Sequence, residues 1–310
     1  MKVIVCPKCT RKHKVNAASL PQAEMVFARC RACSHKFPVQ LDQLRRTEVG
    51  VSSPQSGAGR ARKICVTLSK GGVGKTTTAV HVSAALAESG KRVLLVDTDT
   101  QGQAAYMLGL KPKAGLTELL TGELTAEDAI TPARDNLWLL AGGRSLAGAK
   151  RIIDKKSFGS EHTLAEALAG IDRQFDFIII DTSPGWDQLT VNVLFYADEI
   201  MIPVALEVMP LHGLSEFSKS LQAIQQYRKD LRISYIVPTF MDNRVQHPQE
   251  IFQKLVDAYG TKISKPIHYD ERFSHAPSYG KTIFEYAPES RGAADYRDLV
   301  TRIVCEKMAA

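Results

Sequence analysis

A glycine-rich octapeptide, Lys70-Gly71-Gly72-Val73-Gly74-Lys75-Thr76-Thr77, separates two stretches of opposite periodicity. Before it, Lys63-Ile64-Cys65-Val66-Thr67-Leu68 reads as a short buried strand; after it, Thr76 to Ser89 reads as a helix. Strand, glycine loop and helix in that order form the setting in which such a loop cradles phosphate. Gly71, Gly72 and Gly74 let the backbone aim its N–H groups at phosphate oxygens, and the helix N-terminus adds unpaired donors and a favourable dipole. Lys75 would neutralise the β- and γ-phosphates of a nucleoside triphosphate, and the Thr76 hydroxyl would ligate magnesium. A glycine turn with incidental lysines is the competing reading, and the matching flanks weigh against it. Lys70 needs a separate reason, because an ordinary phosphate loop has no lysine there.

Further apolar runs define the fold class. Phe175 to Thr182 is too continuously apolar for a sheet edge facing water, and such runs suit a parallel sheet covered on both faces. Ala197 to Val204 and Ser234 to Thr239 repeat the pattern. The expected fold is therefore α/β, a mostly parallel doubly wound sheet of the P-loop NTPase type. In such sheets ligands bind beyond the carboxyl ends of the strands, which makes Asp181 the candidate acid holding the magnesium water shell. Its competing role is to cap the following turn.

The octapeptide resembles the deviant Walker A box of the ParA/MinD superfamily of P-loop ATPases. That resemblance implies that Lys70 reaches across a homodimer to the partner's ATP. Lys91-Arg92-Val93-Leu94-Leu95-Val96-Asp97-Thr98-Asp99 is similar to the ParA segment in which two acids follow a strand, implying Asp99 beside the attacking water and Asp97 near the magnesium. Thr100 replaces the usual proline and Gln103 the usual asparagine. Ser274-His275-Ala276-Pro277-Ser278-Tyr279-Gly280-Lys281 and Ser290-Arg291-Gly292-Ala293 are similar to C-terminal segments of the ParA/Soj branch, with His275 in place of glutamate. The resemblance runs from about residue 61 to 305. It implies a weak ATPase stimulated by a ParB-like or cargo adaptor protein, and an ATP-bound dimer that binds nonspecific DNA. The positions matching residues implicated in DNA binding are Arg244 and Arg272, with Lys281 assisting; surface arginines paired to Asp242 or Glu271 are the alternative. Trp186 replaces a smaller residue, and either covers a dimer interface or packs on its own domain.

Ahead of the ATPase lies a different kind of sequence. Cys6-x2-Cys9 and Cys30-x2-Cys33 give four thiolates in tetrahedral reach of one Zn²⁺, the spacing of a zinc ribbon. A unit of about forty residues cannot bury enough apolar surface alone, so metal binding would supply its folding energy. His13 and His35 read as surface histidines, and Cys65 and Cys305 as thiols outside the site. Residues 41–60 read as a flexible Gly/Ser/Pro linker, leaving 1–40 as the ribbon and 61–310 as the ATPase domain.

Residues 1–40 hold eight basic side chains against Glu24 alone, whereas residues 64–310 hold 27 basic against 30 acidic. A basic ribbon can add salt-dependent phosphate contacts with nucleic acid, or can be a solubilising surface that recognises a protein. No run of some 18 apolar residues and no hydrophobic signal segment is seen, so a cytoplasmic protein without membrane contact is expected, and the ParA/Soj resemblance implies that it associates with the nucleoid. Tyr296 to Ala310 has mixed charges, unlike a MinD-type membrane helix, and Cys65 and Cys305 are misplaced for the cluster of a nitrogenase-type iron protein. From another class comes the reading of a zinc-dependent adaptor or regulator whose specific contact is gated by ATP.

Overall fold

The computed structural model describes residues 2–5, 9, 12–15, 25–40, 60–156, 158–206, 210–242 and 244–306. The chain divides into two compact units, Met1–Gln55 and Ser56–Ala310. In the first, β1 (Lys2–Val5) pairs antiparallel with β2 (Lys12–Val15), and β3 (Met25–Arg29) with β4 (Lys36–Gln40). Cys9 lies between β1 and β2 in the chain, and Cys30 and Cys33 lie between β3 and β4. Two-stranded hairpins are marginal by themselves, so the unit depends on something that ties the two turns.

The second unit is built on seven strands: β5 (Arg62–Val66), β6 (Val93–Asp97), β7 (Thr131–Arg134), β8 (Leu137–Leu140), β9 (Phe177–Asp181), β10 (Glu199–Ala205) and β11 (Arg232–Thr239). They lie in the order β11-β10-β5-β9-β6-β8-β7, all neighbours parallel except the β7–β8 pair. β6, β9 and β10 are buried along their whole length. Alternate side chains feed two cores, as the period of two demands: Cys65, Leu94, Ile178 and Ile200 face one layer, and Ile64, Leu95, Ile179 and Met201 the other. The mostly parallel, doubly covered sheet is as expected. β7 and β8 were not foreseen, and they close one edge as a hairpin through Asp135-Asn136, where Asn136 takes φ +58°.

The carboxyl ends of β5, β9 and β6 meet where the chain order reverses. Val66 stands opposite Asp181, and Asp181 opposite Asp97, on adjacent strands. β5 runs into the glycine loop and then the Lys75–Glu88 helix, which is buried from Thr78 to Ala87. Ligand crevices of open α/β sheets form at this kind of topological switch.

His81 fastens that helix to the C-terminal part of the unit. Its Nε2 accepts the Ile283 N–H at 3.0 Å, so the ring proton sits on Nδ1 and is donated to the Thr77 carbonyl at 2.7 Å. The ring stacks on Tyr296 and meets the edges of Phe273 and Phe284. Burial lowers its pKa from 6.5 to about 4, against the pull of the Thr77 bond. A folded-state value below the unfolded one means the unfolded chain takes up the proton first, so this stability is present above pH 6.5 and is lost as pH falls toward 4. Denaturant unfolding at pH 7 and pH 4.5 should show a loss of roughly 2–3 kcal/mol from this group. The His81→Gln variant should show a pH dependence smaller by that amount; an identical profile in the variant would remove His81 as the acid-labile group.

Candidate functional site

The glycine loop has the backbone its sequence demands. Gly72 and Gly74 adopt φ of +74° and +86°, in the left-handed region that a side chain disfavours. Gly74 leads directly into the helix, whose first bond runs from the Thr78 N–H to the Gly74 carbonyl at 2.8 Å. Val73 is buried and its carbonyl accepts the Thr239 hydroxyl at 3.0 Å, which ties the loop to the end of β11. The Lys75 side chain turns back across the loop and donates to the Lys70 carbonyl at 2.8 Å. Burial lowers the pKa of the Lys75 ammonium, while Asp181 and Asp99 pull it upward. Thr76 and Thr77 are half-buried, and the Lys70, Gly71 and Gly72 positions are exposed.

Opposite this cationic loop stand the three acids. Asp181 is fully buried, and neither carboxylate oxygen has a hydrogen-bond partner among the described residues. Burial and the adjacent Asp97 raise its pKa well above the usual carboxylate range, while the nearby Thr76 hydroxyl and Lys75 ammonium pull the other way. An orphaned buried carboxylate is costly unless a cation completes it. Together with the Thr76 hydroxyl it makes an all-oxygen donor set, which fits a hydrated magnesium ion.

Asp97 is occupied differently. Its Oδ1 accepts the Asp99 N–H at 2.9 Å and its Oδ2 the Ala104 N–H at 3.2 Å. Burial pushes its pKa up to about 6 against those amides. Asp97 therefore holds the 97–104 loop from within, whereas the sequence reading had it only near the magnesium. The Asp99 carbonyl is caught by the Gly102 N–H at 3.1 Å and the Gly143 N–H at 3.0 Å. Beside it Gly142 has no room for a side chain: a Cβ would lie 2.6 Å from the Asp99 carbonyl oxygen and 2.8 Å from Asp97 Oδ1. Gly142 and Gly143 were not foreseen, and the only sequence signal is a glycine pair following the apolar run Leu137 to Ala141.

A cavity of about 240 Å³ opens beside the loop, with Gly74, Thr77, Phe240, Tyr269, Asp270 and Phe273 among its walls. Phe240 holds φ +60°, strained for an aromatic residue, at the end of β11. Trp186, after Asp181, stacks on Phe217 at 5.4 Å and thus packs on its own domain, remaining 37% exposed. Asp187 follows it, accepts the Thr190 N–H to cap the Gln188–Tyr196 helix, and pairs with Lys150.

The candidate DNA-binding residues all follow β11, Arg272 at the start of the short helix Arg272–His275, and the two arginines are engaged. Arg244 is paired with Asp242 through Nε and Nη2 at 2.9 and 2.6 Å, as one reading of the sequence allowed. Arg272 is paired with Asp270 at 2.7 Å rather than with Glu271. Lys281 is exposed. In the N-terminal unit the Sγ atoms of Cys9, Cys30 and Cys33 lie within 4.8 Å of one another, and none is in a disulfide. The Ala32 N–H points at Cys30 Sγ at 3.4 Å, and Ser34, just past Cys33, takes φ +58°. Cys6 lies outside the described residues, as does most of the 41–60 segment.

Comparison with known proteins bears on the family and the fold. A family model described as an AAA domain matches residues 61–233, and one for 4Fe-4S iron sulfur cluster binding proteins of the NifH/frxC family matches residues 186–309. The latter span contains one cysteine, Cys305, which is no donor set for such a cluster. The sporulation initiation inhibitor protein Soj of Bacillus subtilis is 37% identical over 247 residues, 77% of this chain and 97% of that protein. The chromosome-partitioning ATPase Soj of Thermus thermophilus is 36% identical over 81% of this chain and 98% of its own length. Among solved structures, a cobyrinic acid a,c-diamide synthase from Mycobacterium smegmatis with bound ATP analogue and magnesium superposes with a TM-score of 0.68 at 31% identity, covering 79% of this chain and 94% of that one.

The crowding at Gly142 gives a test. Gly142→Ala should cost about 1–3 kcal/mol of strain locally and displace the Asp99 loop. ATP turnover should then fall roughly 10- to 100-fold while nucleotide affinity, set by the glycine loop, is retained. Gly148→Ala, where nothing lies within 4 Å of the new Cβ, is the matched control. Unaltered turnover in Gly142→Ala would show that the loop does not depend on this contact.

Proposed function

The chain belongs to the ParA/Soj family of partition ATPases, and from that premise we propose that it is an ATP-dependent dimerising switch that binds DNA nonspecifically and positions DNA or another large cargo. The observation that carries the nucleotide half of this reading is Asp181, whose two unbonded, fully buried oxygens stand opposite a glycine loop at a helix N-terminus. Lys75 and the loop amides would hold the phosphates, and Thr76 and Asp181 would hold magnesium and its water. Magnesium, when bound, supplies the charge that neutralises the β- and γ-phosphate oxygens. Asp99 orients the attacking water, and Asp97 keeps the Asp99 loop in place through its two amide contacts. The cavity walled by Phe240 and Tyr269 takes the nucleoside. Lys70, exposed at the mouth of the loop, is free to reach a second copy's phosphates, so that two monomers close on two nucleotides. Slow hydrolysis, accelerated by a ParB-like or cargo adaptor protein, then dissolves the dimer and releases DNA.

The N-terminal unit is read as a zinc ribbon. Three thiols already converge, the backbone donates to one of them, and a left-handed residue follows the second pair, as in a turn that wraps a metal. Cys6 completes the set. Its excess of basic side chains favours nucleic acid or an acidic protein, and the second reading, a zinc-dependent adaptor gated by ATP, follows if this unit rather than the ATPase makes the decisive contact. No helix of the described residues is long and apolar enough to cross a membrane.

Binding to nonspecific duplex DNA should be measured with ATP, ADP and no nucleotide, for the intact chain and for the compact unit 56–310. Binding by both with ATP only is the expected outcome. Loss of binding with the ribbon, or indifference to nucleotide, would favour the adaptor. Elemental analysis should find one zinc per chain, lost in Cys30→Ser together with hydrogen-exchange protection in residues 1–40; wild-type protein free of zinc but protected there would overturn the ribbon.

A further inference from the structure

Arg244 and Arg272 are each paired with an acid two residues away. Other basic side chains of the same domain, Lys281 among them, carry no such commitment. Lys111, Lys113 and Lys281 are exposed, and no ion pair or hydrogen bond engages their ammonium groups among the described residues. Neither stretch that bears them, 100–117 or 272–284, contains a carboxylate. The same stretches carry two exposed tyrosines: Tyr106 is 58% exposed, and Tyr279 is 67% exposed although its ring stacks on Tyr286.

The fold brings these stretches together. Gly109 and Gly280 touch backbone to backbone, since a Cβ on Gly109 would lie 2.8 Å from the Gly280 Cα, and one on Gly280 2.6 Å from the Gly109 Cα. One guanidinium staples the contact: Arg134 donates to the Leu108 carbonyl at 3.1 Å and to the Gly280 carbonyl at 2.9 Å, and is itself held by Glu285. Lys111 lies two residues beyond Gly109, and Lys281 directly follows Gly280. The result is one patch with unpaired positive charge and exposed aromatic faces.

We infer that this patch, formed by Tyr106, Lys111, Lys113, Tyr279 and Lys281, is a docking surface for the DNA sugar-phosphate backbone. The inference rests on the DNA-binding switch proposed above. Unpaired lysines release counterions when they meet phosphates, which favours a polyanion. The hydroxyls of the neighbouring tyrosines can hydrogen-bond phosphate oxygens as well. The patch is also placed to respond to nucleotide: Tyr106 lies on the short helix Gln103–Met107, and the Ala104 N–H of that helix is bonded to Asp97, the residue that holds the Asp99 loop.

The test is fluorescence anisotropy of a labelled duplex titrated with full-length protein and ATP across a range of salt concentrations. Lys111→Glu/Lys113→Glu should weaken binding at least tenfold. The neutral pair Lys111→Gln/Lys113→Gln should lower the slope of log affinity against log salt by about two. Nucleotide binding and thermal unfolding of both variants should match the wild type. If both pairs bind DNA with wild-type affinity and slope, the inference is overturned, the switch reading stands, and the patch belongs to an acidic protein partner. Wild-type protein that does not bind DNA with ATP would overturn the switch reading and the inference with it.

Discussion

Two carboxylates side by side at the carboxyl edge of the sheet govern much of this molecule. Asp97 and Asp181 are register partners on β6 and β9, both without solvent exposure. Like charges so placed repel and lose hydration, so each needs a specific compensation. Asp97 finds it in two backbone amides, and those amides fix the loop that carries Asp99. Asp181 has only the neighbouring Thr76 and Lys75 to offset its burial, which is the condition of a site built for a cation. One acid thus organises the Asp99 loop and the other has no hydrogen-bond partner among the described residues, although both end a strand.

The same edge is tied to the C-terminal third of the chain. His81 bonds Ile283, Thr78 meets the Tyr296 hydroxyl at 3.1 Å, and Thr282 and Glu285 form a capping box at the start of the Ile283–Tyr286 helix. Any shift of the helix after the glycine loop is therefore felt in the segment from Ala276 to Tyr296. A neutral histidine suits this position, because a second ring proton would confront the Ile283 N–H and abolish the bond.

The glycine loop, the buried strands and Asp181 were legible because each rests on local chemistry: left-handed glycines, continuous apolar runs, an acid at a strand end. The paired cysteine turns were legible for the same reason. β8 was not, since its four apolar residues fit a buried strand or a helix fragment equally, and neither was β7, whose Thr-Pro-Ala-Arg carries no strand periodicity. Gly142 could not be read because its requirement is the clearance to Asp99 and Asp97, residues more than forty positions away. The role of Asp97 escaped because a side chain bonding its own loop leaves no trace in spacing. Arg244 and Arg272 matched a family pattern in sequence, yet the acids two residues before them decide how available their charge is.

At the other end of β5 the sheet is pinned by charge. Arg62 binds Glu199 through two nitrogens at 2.5 and 2.8 Å, the Ile303 carbonyl, and the Tyr235 hydroxyl, which in turn bonds Glu306. The next residue, Lys63, points to the opposite face, pairs with Asp172 at 3.4 Å and lies over the Tyr196 ring. Buried ion pairs of this kind need not add net stability, but breaking one leaves an uncompensated charge, so they fix position strongly. β5 is thus anchored on both faces where it begins and continues into the glycine loop where it ends. The loop is therefore delivered by a strand fixed in position, and beside it stand the Asp97–Ala104 segment on one side and the β11 end with Phe240 on the other.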